Sequence, residues 1–144
     1  MLCNEIMKRH LHTATIDTSA QAAARLMSEN QIGFLPICDV DGHPLGVVTD
    51  RDLALRVCAE NLPADKTLLS AIMTHDPLSL PEDSSVASAE EAMLRRKRRR
   101  ILLVDENGRL VGLITLADLV HHRDLFNVAH FVRTLTENRL RIEK

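Results

Sequence analysis

One seven-residue pattern occurs twice in the chain, and it contains residue types that could bind a polar ligand. It reads GVVTDRD at residues 46–52 and GLITLAD at residues 112–118, so each copy has a glycine, two aliphatic residues, a threonine and, three positions later, an aspartate. Threonine with an acid at this spacing is typical of a helix start, where both side chains accept hydrogen bonds from free backbone N–H groups. The motif therefore predicts one helix starting at Thr49 and a second at Thr115.

The same residues allow two interpretations. Helix capping needs no ligand and stabilises a helix by about 0.5–2 kcal/mol. Alternatively, the helix start attracts an anion, and an aspartate one turn in accepts hydrogen bonds from the vicinal hydroxyls of a ribose. A glycine in mid-strand also lets a flat base or another backbone come close. Capping does not explain why glycine and aspartate recur together, and on the residues alone both interpretations stay open.

The motif belongs to a longer internal repeat with an offset of 66 residues. Matching positions include Ile6 and Ile72, Met7 and Met73, Met27 and Met93, Asp39 and Asp105, and Gly46 and Gly112. The offset predicts a first repeat with its linker at residues 1–66, a second repeat at 67–123 and a C-terminal helical tail at 124–144. Two copies favour one globule with pseudo-two-fold symmetry over a solenoid.

Each repeat reads as strand, helix, strand, strand, helix, which predicts an α/β (α+β) fold. The first repeat has a short strand at Thr15-Ile16, and helix-cap candidates at residues 17–19 precede an apolar helical stripe from Ala20 to Met27. An apolar run at 34–38, a turn at 39–42 and a strand at 45–48 follow. The second repeat has the same helical stripe at residues 86–93, then strands at 101–104 and 110–114 around a turn.

Composition excludes several classes of protein. The chain of 144 residues has no apolar stretch near the roughly 18–20 residues of a membrane span, and no apolar signal-peptide core at its start. The three cysteines form no CxxC pair, and Cys38 and Cys58 lie in apolar surroundings, which favours buried reduced thiols and a cytoplasmic protein. Neither histidine pair (10 and 12, 121 and 122) has metal-ligand spacing, so no metal site is expected. We also find no catalytic triad or phosphate-transfer loop, so no enzyme is expected.

A net charge of −2 conceals one basic segment. Residues 95–100 read RRKRRR, and the rest of the chain has 12 basic against 20 acidic residues, a net charge of −8. This segment could be a solvated helix end in which Glu90 and Glu91 partner Arg95, or it could present Arg99 and Arg100 to a phosphate. A third interpretation is nucleic-acid binding, but the acidic remainder and the 2% aromatic content weigh against it.

The tail carries an apolar seam. Leu125, Val128, Val132 and Leu135 recur at helical spacing, with Phe126 and Phe131 beside them. The seam fits equally well against the protein's own core or against a second subunit.

The duplicated pattern resembles a tandem pair of CBS (cystathionine β-synthase) domains, a so-called Bateman module. The resemblance rests on Ile6-Met7 and Ile72-Met73, on IGFLPI at residues 32–37, and on the two glycine–threonine–aspartate motifs, and it covers residues 3–123. It implies two β-α-β-β-α repeats with clefts between them that bind AMP, ADP, ATP, NAD or S-adenosylmethionine. It also implies a regulatory module without catalysis, associated as a homodimer and acting on a partner protein that the sequence does not name.

The resemblance also assigns roles to residues. Asp52 and Asp118 would take ribose hydroxyls, and Thr49 and Thr115 would contact phosphate or ribose. The remaining expected contacts are Thr15, Ile16, Ser79 and Leu80 for the base, Val47, Val48, Leu113 and Ile114 as pocket lining, and Arg51, Arg99 and Arg100 for phosphates.

The second repeat departs from the first at three places in this pattern. It has Leu116-Ala117 in place of Asp50-Arg51, Leu102 in place of Pro36, and Arg98 in place of Ile32. We therefore expect two unequal sites.

Overall fold

The computed structural model describes residues 1–122 and 125–142; at 125–128 and 138–142 the description is of the backbone only. The first repeat contains α1 (Ala20–Asn30), β1 (Phe34–Cys38), β2 (Pro44–Thr49) and α2 (Asp50–Leu53), which continues as a π-helical turn at Ala54–Cys58. The second repeat begins with α3 (Leu69–Ile72) and β3 (Thr74–His75). The second repeat contains β4 (Ser79–Pro81), α4 (Val86–Arg96), β5 (Arg100–Val104), β6 (Leu110–Thr115) and α5 (Leu116–His121), and α6 (Leu125–Ile142) follows. This order confirms the predicted α/β (α+β) fold and the C-terminal helix.

The chain divides into two compact units that do not coincide with the sequence repeats. The first-repeat unit is Leu11–Pro77 with Asn107–Leu110, and the second-repeat unit is Met1–His10, Leu78–Glu106 and the described residues from Val111 onward. Each unit thus includes the opening segment of the other repeat, residues 1–10 in one case and 67–77 in the other. In the first-repeat unit Leu69, Ile72 and Met73 belong to the hydrophobic core, and in the second-repeat unit Cys3 and Met7 do so.

The described strands form two three-stranded sheets, ordered β1-β2-β3 and β4-β5-β6. In the first, β1 and β2 pair antiparallel as a hairpin, and β3 pairs antiparallel with β2 through Gly46–His75 and Val47–Thr74. In the second, β4 runs parallel to β5, and an antiparallel bridge joins Lys8 to Leu113 in β6. At the repeat offset of 66, Lys8 corresponds to Thr74, so both repeats add the same short segment to the edge of a sheet.

The strand predicted at Thr15-Ile16 is wrong, and the reason lies in β1. The second repeat has β4 because the N–H of Leu102 donates to the carbonyl oxygen of Leu78 at 2.9 Å. The matching residue of the first repeat is Pro36, which has no N–H to donate. Only one parallel bridge, Ala14 with Ile37, therefore remains, and the chain turns directly after it, where the N–H of Thr15 donates to Oγ1 of Thr18.

The first long helix of each repeat starts and ends in the same way. Ser19 caps α1 by accepting from the N–H of Ala22 at 3.1 Å, and Ser85 caps α4 by accepting from the N–H of Ser88 at 3.1 Å. Both helices end at a left-handed residue, Gln31 or Lys97, each with φ 53°. The apolar stripes place Ala23, Met27, Ala89 and Met93 in the cores, as predicted. They differ from the observed buried faces at two residues, since Ala24 is exposed and Glu90, expected at a solvated helix end, is 5% exposed.

Two predictions about apolar residues need correction or completion. Cys3 and Cys38 are buried, and burial raises the pKa of both thiols, but Cys58 is exposed and not a core residue.

In α6, Phe131 is 3% exposed in the second-repeat core and Leu135 packs against that core, while Val132 is 40% exposed. Of the seam residues whose side chains are described, Leu135 thus packs on the protein itself and Val132 does not. The side chains of Leu125, Phe126 and Val128 lie outside the described residues. Among the described residues no helix is long and apolar enough to cross a membrane.

Candidate ligand-binding sites

Both motif threonines begin a helix, as the sequence predicts. Oγ1 of Thr49 accepts from the N–H of Asp52 at 3.1 Å, and Oδ2 of Asp52 accepts from the N–H of Thr49 at 3.0 Å. The same reciprocal pair joins Thr115 and Asp118 at 3.3 and 2.8 Å. Two backbone donors of each helix start are satisfied in this way, so capping accounts for one oxygen of each carboxylate.

The other carboxylate oxygen faces a cation in both sites. Oδ1 of Asp52 lies 3.8 Å from Nε of Arg56, and Oδ1 of Asp118 lies 3.3 Å from Nζ of Lys8. The two aspartate side chains are 16% and 15% exposed. Each is therefore a nearly buried anion with a positive partner, and each keeps a small accessible area at the helix start.

Sequence reasoning missed both cations. Arg56 lies four residues after Asp52, a spacing at which opposite charges meet on a helix, so this pair could have been found. Arg56 is further anchored because its Nη1 donates to the carbonyl oxygen of Ile72 at 2.7 Å. Lys8 carried no such signal, because it reaches Asp118 from a segment distant in sequence.

The hydroxyl groups of the two threonines differ. Oγ1 of Thr115 lies 2.8 Å from Oδ2 of Asp118 and donates to it, in addition to accepting from the N–H of Asp118. For Thr49 the structure gives only the acceptor role toward Asp52. A ligand that needs a hydroxyl donor would find it more readily at Thr49, because Thr115 would first have to release Asp118.

The mid-strand glycines serve a packing role. A Cβ on Gly46 would lie 2.7 Å from the carbonyl oxygen of Thr74 and 3.0 Å from Sδ of Met73, and one on Gly112 would overlap Sδ of Met7. In both sheets the repeated glycine therefore packs against the methionine of a repeated Ile-Met dipeptide. The sequence predicts that a flat base or another backbone comes close to these glycines. In the structure the backbone of Thr74 and the side chain of Met73 lie next to Gly46, and the side chain of Met7 lies next to Gly112.

The four aliphatic residues of the motif do not share one environment. Val48 and Ile114 are completely buried in the two cores, which leaves their side chains inaccessible to a ligand. Val47 and Leu113 are half-buried on the other face of their strands. The predicted base contacts also differ, since Thr15 and Ile16 are exposed in a turn whereas Ser79 and Leu80 are half-buried in β4.

All six residues of the basic segment 95–100 are exposed. Arg95 pairs with Glu91 one turn back on α4, and α4 ends at Arg96, as expected for a solvated helix end. The backbone carbonyl of Arg99 accepts from the N–H of Leu116 at 2.8 Å, which brings residue 99 next to the start of α5. In the first repeat Gly33 accepts in the same way from Asp50 at 3.0 Å, and Arg51 beside it is exposed.

A group of possible metal ligands that the sequence analysis missed lies in the turn of the first repeat. One ligand atom each from Asp39, Asp41 and His43 lies within 4.8 Å of the others. Nδ1 of His43 lies 3.2 Å from Oδ2 of Asp39, and Nε2 lies 3.0 Å from the carbonyl oxygen of Asn107, so both ring nitrogens already have partners. Backbone N–H groups of His43 and Asp41, with the charge of His43, lower the pKa of Asp39. Hydrogen bonds within the turn and to Asn107 therefore account for the closeness of these three side chains, and no ion is needed to explain it.

Proteins of similar sequence align with most of this chain. Uncharacterized protein YlbB of Bacillus subtilis is 38% identical over 116 residues, which are 80% of this chain and 77% of YlbB. Uncharacterized protein MK0525 of Methanopyrus kandleri is 30% identical over 116 residues, which are 81% of this chain but only 59% of that protein.

Solved structures with the same fold include two that contain adenosyl compounds. The CBS domain pair of protein MJ0100, in complex with 5′-methylthioadenosine and S-adenosyl-L-methionine, has a TM-score of 0.74 at 28% identity and covers 84% of this chain and 98% of that one. CBSX2 of Arabidopsis thaliana, in complex with AMP, has a TM-score of 0.71 at 26% identity, with 84% and 94% covered. The CBS domain family model matches residues 3–58 and 69–124, and the chain therefore belongs to the CBS domain family as a tandem pair.

Proposed function

We propose that this CBS pair is a regulatory module that binds an adenosyl ligand at Asp52 and Asp118 and performs no catalysis of its own. The observation that carries the proposal is the matched state of the two carboxylates. Each is nearly buried, each has Oδ2 occupied by the helix cap, and each presents Oδ1 beside a cation. A carboxylate that is held in one orientation and keeps some accessible area is a strong acceptor for the vicinal hydroxyls of a ribose.

The surrounding residues supply the other contacts of such a ligand. Val47 and Leu113 offer half-buried apolar surface within the motifs, Leu80 does so in β4, and the half-buried Ser79 adds a polar side chain there. Thr49 and Thr115 would meet ribose or phosphate, and Arg51, Arg99 and Arg100 are exposed cations suited to phosphate oxygens. Thr15 and Ile16 would contribute through the backbone of their turn.

AMP, ADP, ATP, NAD and S-adenosylmethionine all contain the adenosyl group that this arrangement would recognise. The complexes of MJ0100 with S-adenosyl-L-methionine and 5′-methylthioadenosine and of CBSX2 with AMP support this ligand class. Binding of one of these compounds would let the module report the energy or redox state of the cell to a partner protein. We further propose that it acts in the cytoplasm as a homodimer.

Thermal unfolding with and without ligand tests the proposal. Ligand that binds only the folded protein stabilises it by about 2.7 kcal/mol at about 100 times Kd. The panel is AMP, ADP, ATP, NAD and S-adenosylmethionine on the wild type, Asp52→Asn, Asp118→Asn and the double variant. Asparagine keeps an oxygen that can accept from the capped N–H but removes the charge, so each single variant should lose one site and the double variant should lose the shift.

Ser85→Ala is the matched control, because it removes the cap of α4 and leaves both motifs intact. It should lower Tm, since losing such a cap costs about 0.5–2 kcal/mol, but retain the full ligand shift. A double variant that still responds fully to the panel would contradict the assignment of Asp52 and Asp118.

One observation favours a second candidate function, nucleic-acid binding. All six basic side chains at residues 95–100 are exposed on one short segment, in a chain that is otherwise acidic. Binding of duplex DNA or RNA through this segment would weaken steeply with salt and disappear when all six residues are replaced by Gln. Such contacts are strongest at low ionic strength, because salt then screens them little. Absence of binding at about 20 mM salt would therefore rule out this alternative.

A further inference from the structure

The N-terminal segment places a cation at the second of the two proposed sites. The N–H of Lys8 donates to the carbonyl oxygen of Leu113 at 2.9 Å, and the N–H of Leu113 donates to that of Lys8 at 3.0 Å. The preceding Met7 is buried against Gly112. The backbone of Lys8 is therefore fixed on β6, two residues before Thr115, and only its side chain is free to adjust.

The side chain of Lys8 retains capacity for a further contact. Its Nζ lies 3.3 Å from Oδ1 of Asp118, and the side chain is 59% exposed. An ammonium group has three donors, so contact with one carboxylate oxygen leaves donors directed toward solvent. Lys8 can thus hold Asp118 and bind a second anion at the same time.

The cation of the first-repeat site is committed differently. Nη1 of Arg56 donates to the carbonyl oxygen of Ile72 at 2.7 Å, while its Nε faces Asp52. That guanidinium is tied to the backbone of its own unit. On the sheet of the first-repeat unit, the residue that corresponds to Lys8 is Thr74, which is neutral.

From this asymmetry, and resting on the proposed function, we propose that Lys8 is a ligand-contact residue of the Asp118 site, where its ammonium selects adenosyl ligands that carry a phosphate. A lone carboxylate repels a phosphate that approaches it, because like charges at short range in a partly buried site are poorly screened. Lys8 cancels this repulsion and adds a charge-assisted hydrogen bond. A nucleoside without phosphate gains neither effect.

Calorimetric titration with AMP and adenosine tests this directly, because the two differ only in the phosphate. The titrations use Asp52→Asn as the background, which leaves the Asp118 site to be measured. Adding Lys8→Ala should weaken AMP binding about tenfold or more, the loss expected for a charge-assisted hydrogen bond, and change adenosine binding by less than about twofold. Lys8→Arg should restore AMP binding.

Lys66→Ala is the matched control, because Lys66 is an exposed lysine in the linker, and it should alter neither affinity. Equal losses for AMP and adenosine in Lys8→Ala would overturn the proposal and make Lys8 a residue that only positions Asp118. No loss for either ligand would also overturn it while leaving the Asp118 site intact. If the Asp52→Asn background binds neither ligand, the Asp118 site itself is wrong and this inference falls with it.

Discussion

In the first-repeat unit Asp52 is paired with Arg56 of its own helix, whereas in the second-repeat unit Asp118 is paired with Lys8 from the opening segment of the first repeat. The two aspartates are therefore paired with cations that do not occupy corresponding positions of the repeat. What both units retain is the helix cap and the contact of the motif glycine with a methionine. What differs is the charge partner, which a half-exposed side chain can supply from several directions. Duplication has preserved the positioning of the acid and left its electrostatic environment to diverge.

The edge of each sheet shows a second difference of this kind, and it gives the largest expected effect. Leu102 is 1% exposed and donates its N–H to Leu78 in the second repeat, whereas Pro36 cannot donate in the first. Leu102→Pro should therefore destabilise the protein by about 2–4 kcal/mol, because it leaves a carbonyl unsatisfied and removes core packing. Chemical denaturation measures the loss.

Leu102→Ala separates the two contributions, since it removes packing but keeps the N–H. If it costs as much as Leu102→Pro, the missing donor does not explain why the first sheet lacks the strand. Hydrogen exchange on Pro36→Leu provides the reverse test, because the new N–H at position 36 should be protected if it finds an acceptor.

The glycine contacts of the two units should differ in how they can be relieved. The nearest atoms to a Cβ on Gly112 all belong to the side chain of Met7, whereas the nearest atom to a Cβ on Gly46 is the backbone carbonyl oxygen of Thr74, followed by Met73. Each alanine should cost about 1–3 kcal/mol by overpacking. Met7→Ala should rescue Gly112→Ala with a coupling of about 1 kcal/mol or more, while Met73→Ala should rescue Gly46→Ala little.

Double-mutant cycles from denaturant unfolding measure both couplings. The two cycles are controls for each other, because each combines a glycine with a buried methionine at equivalent positions of the repeat. Equal couplings would show that the backbone of Thr74 moves as easily as a methionine side chain, and the distinction between the two contacts would be lost.

Features that depend on residues close together in the chain are predictable from the sequence, whereas features that depend on residues far apart are not. Thr49 and Thr115 were predicted as helix starts because capping depends on residues three positions apart. The repeat predicted the element order, but the strand at Thr15-Ile16 was wrong because the residue that prevents it, Pro36, lies on the neighbouring strand. Lys8 could not be found, because only the fold brings it to Asp118. The ligand roles of the motif residues remain proposals, since capping alone produces the same local geometry.

The turn between the hairpin strands gives the smallest expected effect. In the first repeat Asp39 accepts from the N–H groups of Asp41 and His43 at 2.9 Å each, and these bonds lower its pKa; the second repeat has Arg109 where the first has His43. A carboxyl whose folded pKa lies below its unfolded value of about 3.9 contributes stability above that pH, and this is lost as pH falls through the folded pKa. Asp39→Asn should therefore flatten the fall of unfolding free energy below about pH 4.

Urea unfolding at a series of pH values from about 6 down to about 2 measures this slope, because it reports the protons taken up on unfolding. Asp41→Asn is the control, since it removes the same charge from the same turn but leaves the carboxylate of Asp39, which accepts from the two N–H groups, able to titrate. The control should leave the slope unchanged. The effect should also be small, because Asp39 is one-third exposed and solvent screens its contacts. If both variants flatten the slope equally, net charge and not the hydrogen bonds at Asp39 distinguishes the two turns.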